Sequence, residues 1–415
     1  VTENIALGLG NDTPLPGLAR RISEVSERYG LSVSPERRVH ALSVGERQRV
    51  EIIRCLLQEP RLLIMDEPTS VLAPQAVEKL FTTLRTIAAE GCSILYISHK
   101  LEEIRSLCDR ATVLRAGRVS ARCIPAEETR ESLARMMVGT DLPRVQHRPP
   151  AGDAAIGLSI DSLSALPDGP FAIALDEISL NVRSGEIVGI AGISGNGQRE
   201  LVELLSGERL AAQAKSIRID KHAVGRMGVG SRRKLGMATI VEERLGRGAV
   251  PAMSLAENAL LTARRGLLRG ALIDSRATAA FARRCIERFS VKCRNEFSTA
   301  GSLSGGNLQK FIVGREILSQ PRVLLVAQPT WGVDVGAAAF IRQSLIDLRD
   351  AGCAILLISE DLDELFEVAD RIAVIADGRL SPALPVQELD TIKLGVLMGG
   401  AATHTKDGGG DAPSA

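Results

Sequence analysis

Aromatic side chains are scarce in this chain. One tryptophan, two tyrosines and eight phenylalanines make up 3% of its 415 residues. That leaves few faces for the stacking platforms on which single-stranded nucleic acids lie. An excess of one charge is missing too. Lys and Arg number 51 against 50 Asp and Glu, a formal net charge of +1. The basic footprint of a nucleic-acid binder is therefore absent, and no nucleic-acid partner is expected. The seven cysteines, at 55, 92, 108, 123, 285, 293 and 353, form no C-x-x-C pair. An odd, scattered set argues against a disulfide framework or zinc site and fits a reducing compartment. The longest apolar runs, such as the one at 187–193, are far too short to span a bilayer. The opening residues, VTENIALGLG, lack the apolar core of a signal peptide. The expectation is a soluble chain, long enough for two domains.

What is present is a repeat. Adding 261 to a residue number in the first third lands on its match in the last third. Leu42, Ser43, Gly45, Gln48 and Arg54 map to Leu303, Ser304, Gly306, Gln309 and Arg315. Pro68, Thr69, Gly91 and Cys92 map to Pro329, Thr330, Gly352 and Cys353. Asp109, Arg110, Gly117 and Arg118 map to Asp370, Arg371, Gly378 and Arg379, so the register runs ungapped from 42 to 118. Each copy predicts a Ser-capped helix of about fifteen residues and then a buried strand, at 62–65 and 323–326. An amphipathic helix (74–89; 337–350), a second apolar strand (93–98; 354–359), a short helix and a strand ending in Gly-Arg follow. Strands alternating with helices make an α/β fold with a mainly parallel sheet covered on both faces. Residues 141–155, rich in Pro and Gly, read as a linker, and the tail 401–415 as disordered. The expected domains are 1–140, the C-terminal part of a first copy, and 156–400, a second copy.

The copies differ in extent. Ile156 lies 147 residues before Leu303, whereas only 41 residues precede Leu42. Matching TENI at 2–5 to AENA at 256–259 starts the first copy near its middle. A complete first copy needs roughly a hundred further residues ahead of Val1.

Three stretches carry chemistry. In EIVGIAGISGNGQREL (186–201) an apolar strand meets a Gly-rich turn and a helix start. The spacing of Gly192 and Gly197, with Gly195 and Asn196 between them, fits the phosphate loop G-x-x-x-x-G-K-[ST]. Its backbone N–H groups can hold phosphate oxygens. Gln198 replaces the Lys and Arg199 the Ser or Thr, so the ammonium and the magnesium-binding hydroxyl are gone. The plain alternative is a Gly-rich turn without a ligand. In LLIMDEPTS (62–70) a strand ends in Asp66 and Glu67, and YISHK (96–100) ends the next one in His99. Asp66 is placed to hold magnesium through water, Glu67 to polarise an attacking water, and His99 to reach a γ-phosphate. A lone Asp-Glu pair is as well explained as a helix cap, and a lone His as structural. The second copy carries Ala327, Gln328 and Glu360 at these three positions. Its own site is expected to be hydrolytically dead or nearly so.

LSVGERQRVEI (42–52) and LSGGNLQKFIV (303–313) resemble the LSGGQ signature of ATP-binding cassette proteins. The resemblance covers residues 1–400, without the front of the first cassette. It implies tandem P-loop NTPase cassettes with a helical subdomain, the first incomplete, and ATP and Mg2+ as cofactors. Tandem cassettes with GNGQ in the second loop resemble the ATPase subunits of simple-sugar importers, of the ribose and galactose type. PTWGVDVGA (329–337) and the stretch 241–258 resemble more narrowly the branch serving nucleoside uptake. The family implies a head-to-tail pair in which each ATP lies between one phosphate loop and the other copy's signature. Asp66, Glu67 and His99 would then work with Ser304, Gly305 and Gly306. The loop 192–199, Ala327, Gln328 and Glu360 would face Ser43 and Gly45. Asp334 keeps the Asp expected after the strand, Ala73 departs from it, and Glu242 takes the place of a Gln that senses the membrane subunit. Two transmembrane permease subunits and an extracytoplasmic binding protein are the implied partners, and the cytoplasmic membrane face the implied location. Two other readings stand beside this one. One is an inactive or regulatory cassette fragment. The other is a ribosome-associated tandem cassette, which would carry a long charged linker and two intact sites.

Overall fold

The computed structural model describes residues 1–9, 14–39, 42, 44–69, 74–98, 100–115, 117–138, 154–168, 172–193, 195–262, 267–269 and 272–398. Ser43, Ala73, His99, all but the last two residues of the 141–155 stretch and the tail lie outside them. The chain divides into two compact units, Val1–Arg144 with Asp334–Ala339, and Val145–Val333 with Phe340–Ala415.

The first unit runs α1 (Thr2–Ala6), α2 (Leu15–Arg28), α3 (Val44–Leu56), β1 (Leu62–Asp66), α4 (Pro74–Ala89), β2 (Ser93–Ile97), α5 (Leu101–Leu107), β3 (Ala111–Arg115), β4 (Arg118–Cys123) and α6 (Arg130–Val138). β1 and β2 pair in parallel, and β3 and β4 form an antiparallel hairpin. Leu18, Ile22, Val50, Ile53, Leu84 and Ile87 meet Leu63 and Met65 in one core. The sequence leads to a buried strand at 62–65, but only alternate residues of β1 are buried. Among the described residues one layer alone covers this sheet. The expected strand ending in Gly-Arg is also corrected. Gly117 turns the chain at φ 75°, where a side chain would be strained, and Arg118 opens β4.

The second unit contains β5 (Ile156–Ala165), β6 (Leu175–Arg183), β7 (Ile187–Ala191), α7 (Gln198–Ser206), β8 (Ile217–Ile219), β9 (His222–Ala223), α8 (Val229–Lys234) and β10 (Met237–Ile240). It continues with α9 (Leu255–Thr262), β11 (Leu268–Arg269), β12 (Leu272–Ile273), α10 (Ser275–Arg288), α11 (Gly305–Ile317), β13 (Val323–Ala327), α12 (Val335–Asp350, whose start up to Ala339 is counted with the first unit) and β14 (Ala354–Ser359). α13 (Leu362–Val368), β15 (Arg371–Ala376), β16 (Arg379–Leu380), β17 (Leu384–Pro385) and α14 (Thr391–Met398) close it. The main sheet has the order β10-β13-β14-β7-β15-β16, with β17 also on β15. Its central strands β13, β14 and β7 are parallel to their neighbours and buried throughout. Continuous apolar runs such as VLLVA and AILLIS suit strands covered on both faces. One face packs Leu324, Val326, Ile355 and Leu357 against Phe311, Ile312, Ile341 and Leu365. The other packs Val323, Leu325, Leu356 and Ile358 under α7 and a second sheet, β6-β5-β8-β9. That antiparallel sheet has no counterpart in the expected element list. Buried Arg232 fixes α7 by donating to the carbonyls of Leu204 and Leu205 near the helix end. Burial lowers its pKa to about 10.

Candidate functional site

Two strand ends, one per unit, carry the residues singled out above. In the first, β1 ends at Asp66, which is exposed, and Glu67 follows in the left-handed region at φ 48°. The Glu67 N–H donates to the Ile97 carbonyl at 2.9 Å, tying this corner to the end of β2. In the second, Ala327 ends β13, and Gln328 follows at φ 49° with its N–H on the Ile358 carbonyl at 2.9 Å. The corners therefore share one backbone and differ in side chains. Bracing matches as well. Gln48 donates to the Pro68 carbonyl, and Gln309 to the Pro329 carbonyl at 2.9 Å. In the second corner Gln328 Oε1 accepts the Glu360 N–H at 3.2 Å, so an amide occupies the place beside the strand end where a base would be needed.

The Gly-rich loop leads from β7 into α7 within the second unit. β7 lies beside β14, with Ala191 opposite Ser359, and β14 lies beside β13, with Ile358 opposite Ala327. The loop thus opens next to Glu360 and Gln328. Gly192 and Gly197 are needed where they stand. A Cβ at Gly192 would lie 2.6 Å from Gln198 Nε2 and 2.8 Å from the Ile375 carbonyl oxygen. Gly197 starts α7 at φ 105°. Gln198 folds back over the loop, where its Nε2 donates to the Ile193 carbonyl at 2.8 Å and its Oε1 accepts the Asn196 N–H at 3.0 Å. One loop amide is thereby spent internally. Asn196 anchors the loop to the β15–β16 turn, since its Oδ1 accepts the Asp377 N–H at 2.9 Å. Arg199 points away and pairs with Glu203 at 2.9 Å, one helical turn on.

The signature helix α11 begins after Ser304, whose Oγ accepts from Asn307 Nδ2 at 2.8 Å and caps no helix amide. Ser304 and Gly305 are exposed. Arg244 lies against Gly305, and its Nη1 donates to the Gly332 carbonyl at 3.4 Å. Gly306 is the second residue of α11. In the first unit Gly45 falls in the first turn of α3. Glu242 follows β10, and its carboxyl sits above the ordinary carboxylate range, first through desolvation and then through the Glu243 charge. Asp334 accepts the Ala337 N–H at 2.9 Å and so caps the first turn of α12.

Two carboxylates that the motif reading missed lie behind these corners. Glu103 and Glu364, 261 residues apart, are both buried. Each accepts a hydroxyl from the last turn before its helix, Ser98 at 3.2 Å and Ser359 at 2.7 Å. The repeat register is the signal that marks them.

The two corners differ in whether they fit a magnesium nucleotide. Magnesium keeps several waters and leans on one or two carboxylates plus phosphate oxygens. Asp66 offers one exposed carboxylate, which fits that role. No cluster of three metal-ligating side chains exists among the described residues, so the ion would depend on the nucleotide's phosphates. The second corner does not fit, because Ala327 supplies no oxygen and Arg199 brings a cation instead of a hydroxyl.

A parallel sheet with a Gly-rich loop at a strand end, a helical insertion and a signature helix defines a nucleotide-binding cassette, here with its signature half repeated. The sequence pattern of the family described as ABC transporter matches residues 2–70 and 175–331. The nucleoside import ATP-binding protein NupA of Lactococcus lactis subsp. cremoris is 38% identical over 406 residues, 96% of this chain and 80% of that protein. The ribose import ATP-binding protein RbsA 1 of Streptomyces avermitilis is 37% identical over 398 residues, 94% of this chain and 74% of that protein. The archaeal ribosome recycling factor aABCE1, solved with the stalk protein aP1, aligns with a TM-score of 0.64 over 93% of this chain and 71% of that one. At 18% identity that likeness shows the fold alone. The chain belongs to the ABC transporter family of tandem-cassette ATPases, whose ATP hydrolysis is coupled to transport.

Proposed function

We propose that this chain energises an importer for simple sugars or nucleosides, with hydrolysis confined to the acidic corner. The observation that carries the division is the pair of corners with one backbone and two side-chain sets, Asp66 and Glu67 against Ala327 and Gln328. In this reading Glu67 polarises the attacking water, Asp66 holds magnesium through water, and His99 contacts the γ-phosphate and orders that water. Bound nucleotide would supply the phosphoryl group. The chain's own residues orient water and spread the developing charge. The loop 192–199 binds nucleotide weakly or as a spacer, since Gln198 has no charge to offer. Ser304, Gly305 and Gly306 keep the helix-end amides that suit phosphate oxygens.

Among the described residues no helix is long and apolar enough to cross a membrane. Transport then requires separate permease subunits, here two, fed by an extracytoplasmic binding protein, with this chain peripheral on the cytoplasmic face. Cassette closure on ATP would drive the permeases between their inward- and outward-facing states. The choice between sugar and nucleoside lies with those partners. The domain plan we propose is 1–140 and 156–400, with 141–155 as linker and 401–415 as tail.

No G-x-x-x-x-G-K-[ST] occurs in residues 1–415. We therefore expect purified residues 1–415 to show no appreciable ATPase activity. Turnover at an ordinary importer rate that Glu67→Gln abolishes would overturn that expectation.

A further inference from the structure

Glu103 and Glu364 hold the same place in the two units, but their surroundings differ. Glu103 accepts from three hydroxyls, those of Thr69, Tyr96 at 2.7 Å and Ser98 at 3.2 Å. Lys100 Nζ stands 3.6 Å from it. At the positions of Tyr96 and Lys100 the second unit carries Leu357 and Asp361. A hydroxyl donor and a cation are thus replaced by an apolar side chain and an anion. Glu364 is 0% exposed. It keeps the Ser359 hydroxyl at 2.7 Å, with Thr330 beside it, and its Oε1 has no hydrogen-bond partner.

The cation in reach is Arg342 on α12, whose Nε lies 4.0 Å from Glu364 Oε1. That guanidinium is shared, with Nη1 on Glu367 at 2.6 Å and Nη2 3.6 Å from Asp361, while the Nε facing Glu364 makes no hydrogen bond. One cation therefore faces three carboxylates. β7 and β14, packed on α13, carry no titratable side chain, and Asp363 on α13 is exposed. An ionised carboxylate that is buried and uncompensated is costly, and a proton removes the cost.

We propose that Glu364 holds a proton in the folded second unit near neutral pH and acts as a proton-operated latch under the corner formed by Ser359, Glu360 and Gln328. With the proton on Oε2, Glu364 donates to Ser359 Oγ, which also accepts the Asp361 N–H at 3.1 Å. Without it the direction reverses, and Ser359 donates to the carboxylate. Ser359 directly precedes Glu360, whose N–H rests on Gln328 Oε1. Losing the proton therefore sets an uncompensated charge against the residue that leads into the corner. The supporting direction is clear, since burial pushes this carboxyl up to about 7. A carboxyl raised in the folded state leaves the unit most stable below the unfolded value, about 4.3. Stability then declines as pH rises from there through about 7.

The test is urea unfolding of the intact chain between about pH 5.5 and about 8.5. It is followed through Trp331, the one tryptophan, which adjoins Thr330 and reports on the second unit. The wild-type midpoint should fall as pH rises through about 7. Glu364→Gln should flatten that fall and raise the midpoint at the alkaline end. Asp361→Asn, which keeps the helix cap and removes the neighbouring charge, should shrink the fall and move it to lower pH. Glu103→Gln should leave the Trp331 profile in place. Parallel profiles for wild type and Glu364→Gln across neutrality would overturn the proposal. If that variant does not fold, the infrared spectrum of glutamate-labelled wild type decides. A protonated-carboxyl band near pH 6.5 that disappears at the alkaline end supports the latch, and its absence near pH 6.5 contradicts it.

Discussion

β1 with β2 in the first unit and β13 with β14 in the second pair in one register, residue for residue, 261 positions apart. Their faces meet different fates. Leu62, Ile64, Leu95 and Ile97 are 55%, 59%, 52% and 44% exposed, whereas Val323, Leu325, Leu356 and Ile358 are 0–2% exposed. Pairing, the left-handed corner residue and the bracing glutamine follow from local sequence and reappear in both units. Burial depends on what is laid over the strands. In the second unit α7 and the antiparallel sheet cover that face. The first unit shows how much of a cassette forms from its signature half, and which surface that half leaves exposed.

Three substitutions test the comparison, from the largest expected effect to the smallest. Leu325→Ala empties a fully covered position and should cost the second unit about 2–5 kcal/mol, read from the shift in its urea-unfolding free energy. Gln198→Lys returns an ammonium to the Gly-rich loop. A charge-assisted hydrogen bond contributes about 1.5–3 kcal/mol, so nucleotide affinity by calorimetry should rise roughly 10- to 100-fold. No gain would mean that this loop no longer cradles phosphate. Ile64→Ala, the counterpart of Leu325→Ala on the bare face, should change stability by less than about 0.5 kcal/mol. A loss as large as that at Leu325 would show that the β1–β2 face is covered in solution.

Much of this is legible in the sequence, because the repeat makes each half a control for the other. The strand–loop–helix at 186–201 and the positions of Ala327, Gln328 and Glu360 follow from spacing alone. What the pattern does not carry is burial. LLIM at 62–65 is as apolar as VLLV at 323–326, and only neighbouring layers decide which is covered. The β5–β6–β8–β9 sheet escapes notice because its strands alternate apolar and polar residues without the long runs of β13 and β14. The two buried carboxylates escape for another reason. Glu103 and Glu364 sit among helix-start acids such as Glu102 and Asp363, and only their burial and their hydroxyl partners set them apart.

The central claim is that two corners of one backbone have divided the labour, the first hydrolysing and the second not. Steady-state ATP hydrolysis by the chain supplied with a Lys-bearing phosphate loop for the acidic corner and assembled with its membrane partners tests this most directly, comparing Glu67→Gln with Gln328→Ala. The account predicts a loss of about 10²- to 10⁴-fold for Glu67→Gln and an unchanged rate for Gln328→Ala. Equal losses at the two positions, or a rate that survives Glu67→Gln, would contradict it.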